Sequence, residues 1–421
     1  MGTRSRSRRR PADAPAHQHS HAHLAAAGAV PAARGTRTLL WLLVTPLVLA
    51  TVAGLVLLRP GDDARLPSGA LGPTADRERA TVQDVRRDPC GGAAPADGEA
   101  APTCPVATVA LTSGPRSGDE VEALVPEGEG TPTFEVGDRV VVAYIAVAPP
   151  GQRYEIIDFQ RGRPLIALAV LFAVAVLLVG RWRGLAALVG LGVSGVVLLS
   201  FVVPAVLDGQ SPLPVALVGS SAIMLASLFL AHGVTARTAV AVLATAASLA
   251  LIATLAYAVV AVSHFTGLGS EDVAYLRSAF GEIDLRGLLL AGVVIGSLGV
   301  LDDMTVTQTS VVWEIAHADR AARPRDVYRA AARVGRDHVA SIVNTLVLAY
   351  AGAALPLLLL FSVVQAQASD VLTTELVAQE VVRTLVGGIG VVVAAPLTTA
   401  LATIFAVRDR DRGARAAGHT E

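Results

Sequence analysis

The sequence predicts a mainly α-helical membrane bundle of about eight transmembrane helices, carrying a small extracytoplasmic β-rich domain. Three observations lead there. Of 421 residues, 53% are hydrophobic and only 16% charged, more apolar surface than a soluble chain of this length can hide. Apolar stretches long enough to cross ~30 Å of hydrocarbon recur along it. The arginines between those stretches collect in alternate loops, as they do when basic residues fix orientation. The net charge of −1 conceals this clustering. All the cationic residues are arginine, which reads as the coding bias of a GC-rich bacterial genome rather than as chemistry.

Residues 1–37 are rich in Arg, Ala, Pro and His without apolar periodicity, and are expected to form a disordered cytoplasmic tail. Arg4, Arg6, Arg8, Arg9 and Arg10 lie close to a first span, so they are read as topology determinants. Nucleic acid is not an expected partner, since aromatics make up 4% of the chain and no stacking surface is evident. His17, His19, His21 and His23 alternate, a pattern that would hold a soft divalent metal weakly; incidental composition is the preferred reading. The run 38–58 is long for a signal-peptide core and lacks a small-x-small cleavage site, so an uncleaved first helix is expected.

Residues 59–161 are polar and rich in Pro and Gly. Strand-like runs at Val106–Leu111, Glu120–Val125, Arg139–Ala148 and Tyr154–Phe159, separated by turn signals, predict a compact barrel-like β module. Both cysteines, Cys90 and Cys104, fall here, and a disulfide between them is expected if the module lies outside the cytoplasm.

The membrane domain is expected over 162–407, with spans near 164–180, 185–207, 213–231, 239–262, 287–312, 339–362 and 384–406. With eight spans, Arg181, Arg183, Arg237, the group from Arg320 to Arg336 and the tail 408–421 fall on one side with the N-terminus. Both termini are then cytoplasmic in a multi-pass cell-membrane protein, and the β module is outside. Pro324 suits the first turn of an amphipathic helix over 324–338, whose arginines would rest on anionic lipid at the inner interface.

Several blocks carry a resemblance to a known family: Tyr154–Arg161, Gly292–Gln308, Trp313-Glu314-Ile315, Gly335–His338, Asn344–Gly352 and Glu380–Arg383. Over roughly 130–407 the chain resembles the YibE/F-like family of bacterial multi-pass membrane proteins. The resemblance implies an integral membrane protein with an extracytoplasmic β-rich segment, and implies no activity, substrate or catalytic residue.

The most informative feature for function is the pair Asp302-Asp303 inside an apolar run. A carboxylate at a helix centre costs roughly 2.5–3.5 kcal/mol on insertion scales, so such residues are paired, protonated or functional. Read as one helix, Gly292, Gly296, Gly299, Asp303, Thr307, Ser310, Glu314 and His317 form one face, small first and polar later. The small part would admit a neighbouring helix, and the polar part must meet other helices or a wet cavity. A broken helix is the other reading, with Thr305-Val306-Thr307-Gln308 as a capping box. Carboxylates suit a proton or a cation with oxygen ligands. The simpler alternative is two carboxylates hydrated near the inner interface. Asn344 enters from the cytoplasmic side at similar depth and is the expected partner of the pair. Glu380 and Arg383 are expected to pair with each other at the outer side.

The expected ion or substrate pathway is thus Asp302, Asp303, Thr307, Gln308, Glu314 and Asn344, with Asp303 the residue to mutate first. No second span carries a central carboxylate, and no zinc, nucleophile-elbow or phosphate-loop motif occurs. Neither enzymatic activity nor a cofactor is expected. The functional expectation is a permease-like protein moving an ion or small solute, with the lipid bilayer and a homo-oligomer as partners. The alternative is a non-transporting sensor or scaffold whose β domain binds envelope partners.

Overall fold

The structure, a computed structural model, describes residues 34–61, 76–89, 103–128, 130–149, 151–269, 271–280, 283–363, 371 and 373–417. The expected His tract and most of the expected N-terminal tail lie outside the described residues. Helix α1, Arg34–Leu57, begins four residues before the expected boundary. Leu40 and Val44 sink into the core, and Trp41 stacks on Phe229 with ring centroids 6.0 Å apart.

The segment that follows is a closed barrel of five strands: β1 Asp76–Pro89, β2 Thr103–Leu111, β3 Glu120–Leu124, β4 Arg139–Tyr144 and β5 Tyr154–Phe159, in spatial order β1-β2-β3-β5-β4. Closure removes the free edges an open sheet would leave. Alternate residues fill the interior: Ala80 and Val82, Ala107 and Val109, Val121 and Ala123, Val140 and Val142, and Ile156. Four strands follow the expected runs. The longest, β1, lies outside the expected runs, since the charges of Asp76-Arg77-Glu78-Arg79 and Asp84 to Asp88 mask the apolar alternation of a strand. It is held by antiparallel pairing on both sides, to β2 and β4, and needs few apolar side chains of its own. Cys104 at the start of β2 is disulfide-bonded. Cys90, the only other cysteine in the sequence, lies outside the described residues. At the barrel's exit Asp158 accepts two bonds of 2.6 Å from Arg161 and one of 2.8 Å from the Phe159 amide.

Helix α2, Gly162–Val197, runs through a π-turn at Leu198–Val202 into the short α3, Val203–Leu207. Arg181 breaks α2 with φ 50 and ψ −128. This non-glycine positive φ costs energy, and it folds the chain so sharply that Gly184 lies against the Val176 carbonyl. Then come α4 Pro212–His232, α5 Ala236–Val262, the short α6 Glu271–Phe280, α7 Leu285–Ala318, α8 Pro324–Ala353, α9 Leu355–Val363 and α10 Glu375–Ala417.

Among the described residues six helices are long and apolar enough to cross a membrane: 38–57, 162–207, 212–232, 236–262, 285–318 and 375–411. The sequence reading of eight differs at two places. The runs 164–180 and 185–207 form one helical stretch that is broken at Arg181 and passes through the π-turn at Leu198–Val202. The run 339–362 is divided, since α8 starts at Pro324, includes the basic segment, and ends before Ala354. The amphipathic helix is therefore the first half of α8 rather than a separate element.

Helix α7 is the centre of the bundle, packed against α4, α5, α8 and α10. Its start is fixed by Asp284, which accepts the Gly287 amide at 2.9 Å. Nearby, Glu375 at the start of α10 accepts the amides of Thr266 (2.9 Å) and Gly267 (2.6 Å) and the Thr266 hydroxyl (2.7 Å). Gly267 has φ +84, and a Cβ there would stand 2.6 Å from the Leu285 carbonyl group.

Two outcomes follow from these contacts. Gly267→Ala combines left-handed strain of about 1–2 kcal/mol with a backbone clash, so thermal unfolding of the purified protein should show a clearly lowered midpoint. The Arg161 guanidinium and then the Phe159 amide hold the Asp158 carboxyl below its ordinary value. A lowered folded value stabilises above the ordinary carboxylate range and loses that contribution as pH falls through the folded value. Asp158→Asn should therefore flatten the acid limb of a barrel unfolding curve recorded by far-UV circular dichroism at low salt.

Candidate functional site: a polar cavity beside α7

Asp302 and Asp303 stand some 26 Å along α7 from Leu285 at 1.5 Å per residue. The helix is continuous there, so the half-helix reading is overturned. Its capping residues are engaged elsewhere. Thr305 shares a buried 2.7 Å hydrogen bond with Thr245 of α5. The Gln308 amide donates to the Ala331 carbonyl of α8 (3.0 Å) and to the Thr399 hydroxyl of α10 (2.7 Å).

One position apart, the two carboxylates point to different surroundings. Asp302 turns towards α4, where the Ser227 hydroxyl donates to its Oδ2 at 3.0 Å. Its Oδ1 is buried without a hydrogen-bond partner among the described residues. The Asp303 side chain is 69% exposed, with Oδ2 3.8 Å from His338 Nε2 of α8. Both carboxylates line an open cleft of about 330 Å³ between the second half of α2, α4 and α7. Gly190 and Ser194 contribute from α2, Ser227 and His232 from α4, and Thr307 from α7.

This lining has a definite chemical bias. It offers two carboxylates, three hydroxyls and one imidazole, and no arginine. Such groups replace the hydration of a cation and repel an anion. No cluster of three His, Cys, Asp or Glu suited to holding a metal ion occurs among the described residues. The volume corresponds to about ten waters at their liquid share of ~30 Å³ each. A hydrated or polyatomic cation fits this space better than a bare ion, which would need a close cage of ligands.

A family model described as YibE/F-like protein matches residues 168–408, more than half of the chain. The chain belongs to the YibE/F-like family. The match includes every residue lining the cavity and leaves the barrel outside; the Tyr154–Arg161 block that contributed to the sequence resemblance lies before it. No curated protein and no solved structure matches the chain. Family membership and the apolar helices together mark a membrane protein.

The other residues expected on the pathway of this YibE/F-like chain are dispersed. Thr307 lines the cavity, but Gln308 is 1% exposed and is bound to α8 and α10 on another side of α7. Glu314 pairs with Arg237 at 3.1 Å near the end of α7. Asn344 is exposed and makes no hydrogen bond to a described residue, so it is not the partner of the aspartates. His338, six residues earlier, is the α8 side chain that stands beside Asp303. Val327, Ala331, Gly335 and Leu346 form the buried side of α8, and Asn344 lies about 160° round from Leu346 at 100° per residue. Glu380 and Arg383 pair at 2.7 Å.

The glycine stripe on α7 also has an unexpected use. It makes room for polar side chains rather than for a helix backbone. A Cβ on Gly292 would lie 3.4 Å from Arg383 Nη2, and one on Gly296 would lie 3.1 Å from the Tyr350 hydroxyl. Sequence reading missed Ser194, Ser227, His232, His338 and Tyr350. The two serines are single hydroxyls in otherwise apolar runs, a weak signal, because serine in a helix commonly satisfies itself on a preceding carbonyl. Ser194 does so, on Gly190, at 2.9 Å.

Gln308→Leu removes two buried hydrogen bonds that join three helices and leaves the Ala331 carbonyl short of a donor. Interhelical bonds in lipid average about 0.6 kcal/mol each, so a loss of roughly 1–2 kcal/mol is expected. Reversible unfolding in mixed micelles should register it.

Proposed function

We propose that the chain is a cytoplasmic-membrane, permease-like protein of eight transmembrane helices that moves a small cationic species through the cavity beside Asp302. The observation that carries this reading is the cavity itself: a carboxylate bonded to a serine of the neighbouring helix, inside a bundle, in a space lined with hydroxyls. A carboxylate within a span is a functional group by default. The charge of Asp302 supplies attraction, and Ser194, Ser227 and Thr307 supply oxygen atoms in place of water.

The eight-helix count is supported by lengths. The stretch 162–207 contains 46 residues, about 69 Å if straight, over twice the ~30 Å hydrocarbon thickness. Its break at Arg181 gives two crossings of ordinary length. The second half of α8, followed by α9, gives another. With that count the arginine-rich loops and both termini lie on the cytoplasmic side and the disulfide-bearing barrel lies outside.

Asp302 takes the place of Asp303 as the residue on which transport depends, because Asp303 is largely open to solvent. In proteoliposomes tested with alkali-metal, divalent and small ammonium ions, Asp302→Asn should reduce the flux of the transported ion about tenfold or more, the scale of losing one charged hydrogen bond. Asp303→Asn should reduce it less. A sensor or scaffold acting through the barrel would show no ion flux in either form. Undiminished flux through Asp302→Asn would overturn the role given to the cavity.

A further inference from the structure

Helix α8 exposes a face unlike the other exposed faces of the bundle. Opposite its buried side lie Asp337, Ser341, Asn344 and Leu348, all exposed. Two contacts with α7 set their depth. His338 stands beside Asp303, and Tyr350 stands over Gly296. Residues 341–348 therefore run alongside the middle of α7, itself long and apolar enough to cross a membrane. The first half of α2 makes the contrast. It exposes Leu165, Ile166, Leu168, Leu171 and Phe172, a surface that acyl chains cover without penalty. Acyl chains offer nothing to a carboxamide, which in hydrocarbon leaves two donors and an acceptor unmatched.

We infer that this face of α8 is covered by α8 of a second copy of the chain, packed about a two-fold axis along the membrane normal. Such an axis brings each residue to its own counterpart at the same depth. A carboxamide is self-complementary, so two Asn344 side chains each donate to and accept from the other. Ser341 and Gly352 are small enough to let the two backbones approach. At the cytoplasmic end the charges are complementary as well. Arg333 and Asp337 are exposed one turn apart on this face, and neither has an ion-pair partner among the described residues. A parallel copy sets Arg333 of each chain near Asp337 of the other, twice. The cavity, bounded by α2, α4 and α7, is left uncovered by this pairing. The inference rests on the reading that α8 crosses the membrane and is independent of transport.

The test uses the full-length chain in native-like membranes. Under mild oxidation Asn344→Cys should give a covalent dimer on a non-reducing gel, whereas wild type and Leu171→Cys should not. In nanodiscs, Asn344→Leu should weaken self-association about tenfold, as expected for losing two symmetric interhelical hydrogen bonds. Asp337→Arg should weaken it too, and adding Arg333→Asp should restore it. Two failures are distinguishable. If Asn344→Cys reacts readily with a membrane-impermeant maleimide in intact vesicles, α8 does not lie in lipid and the eight-helix reading fails with the inference. If Asn344→Cys is protected yet cross-links no better than Leu171→Cys, the second copy alone is ruled out.

Discussion

A helix bearing Ser297, Asp302, Thr305, Gln308 and Thr309 cannot stand in hydrocarbon with those groups facing acyl chains. The arrangement of the bundle depends on how α7 is relieved of that cost. Ser297 satisfies itself on the Val293 carbonyl at 2.7 Å. Thr305 is met by α5, Gln308 by α8 and α10, and Asp302 by α4. The neighbours of α7 are thus selected by polar contacts as well as by packing. That is expected in lipid, where apolar burial gives helices little reason to prefer one another over the solvent.

Small residues serve the same end. Gly335 lies where a Cβ would stand 2.9 Å from Gln308 Oε1, so the missing side chain of α8 admits the amide of α7. Gly292 and Gly296 admit Arg383 and Tyr350 in the same way. In these three places glycine is the complement of a polar side chain, and a methyl group would act by displacing a hydrogen-bonding or charged group.

Much of the architecture was legible because apolar length and arginine placement are properties of segments, and segments are what a single sequence reveals. The barrel was legible from alternation in four strands and illegible in β1, whose pairing partners are distant in sequence. The candidate site was only half legible. That Asp302 and Asp303 were unusual followed from their surroundings. Which of the two would be enclosed depended on which neighbour lay on each side of α7, and periodicity within one helix carries no such information. Asn344 illustrates the same limit. Its depth came from topology, but its direction came from Val327, Ala331, Gly335 and Leu346, which together decide the side of α8 that faces inward.

The distribution of hydrogen bonds around α7 has a mechanical consequence. Side-chain bonds fasten α7 to α5 at Thr245 and Arg237, to α8 at Ala331 and to α10 at Thr399. Towards α4, the Ser227–Asp302 bond is the one such bond recorded among the described residues. In side-chain hydrogen bonds, α7 is therefore fastened at several points on one side and at one point on the other. A displacement of α4 and the second half of α2 as a unit would release a single latch, and that latch is held by the carboxylate lining the cavity.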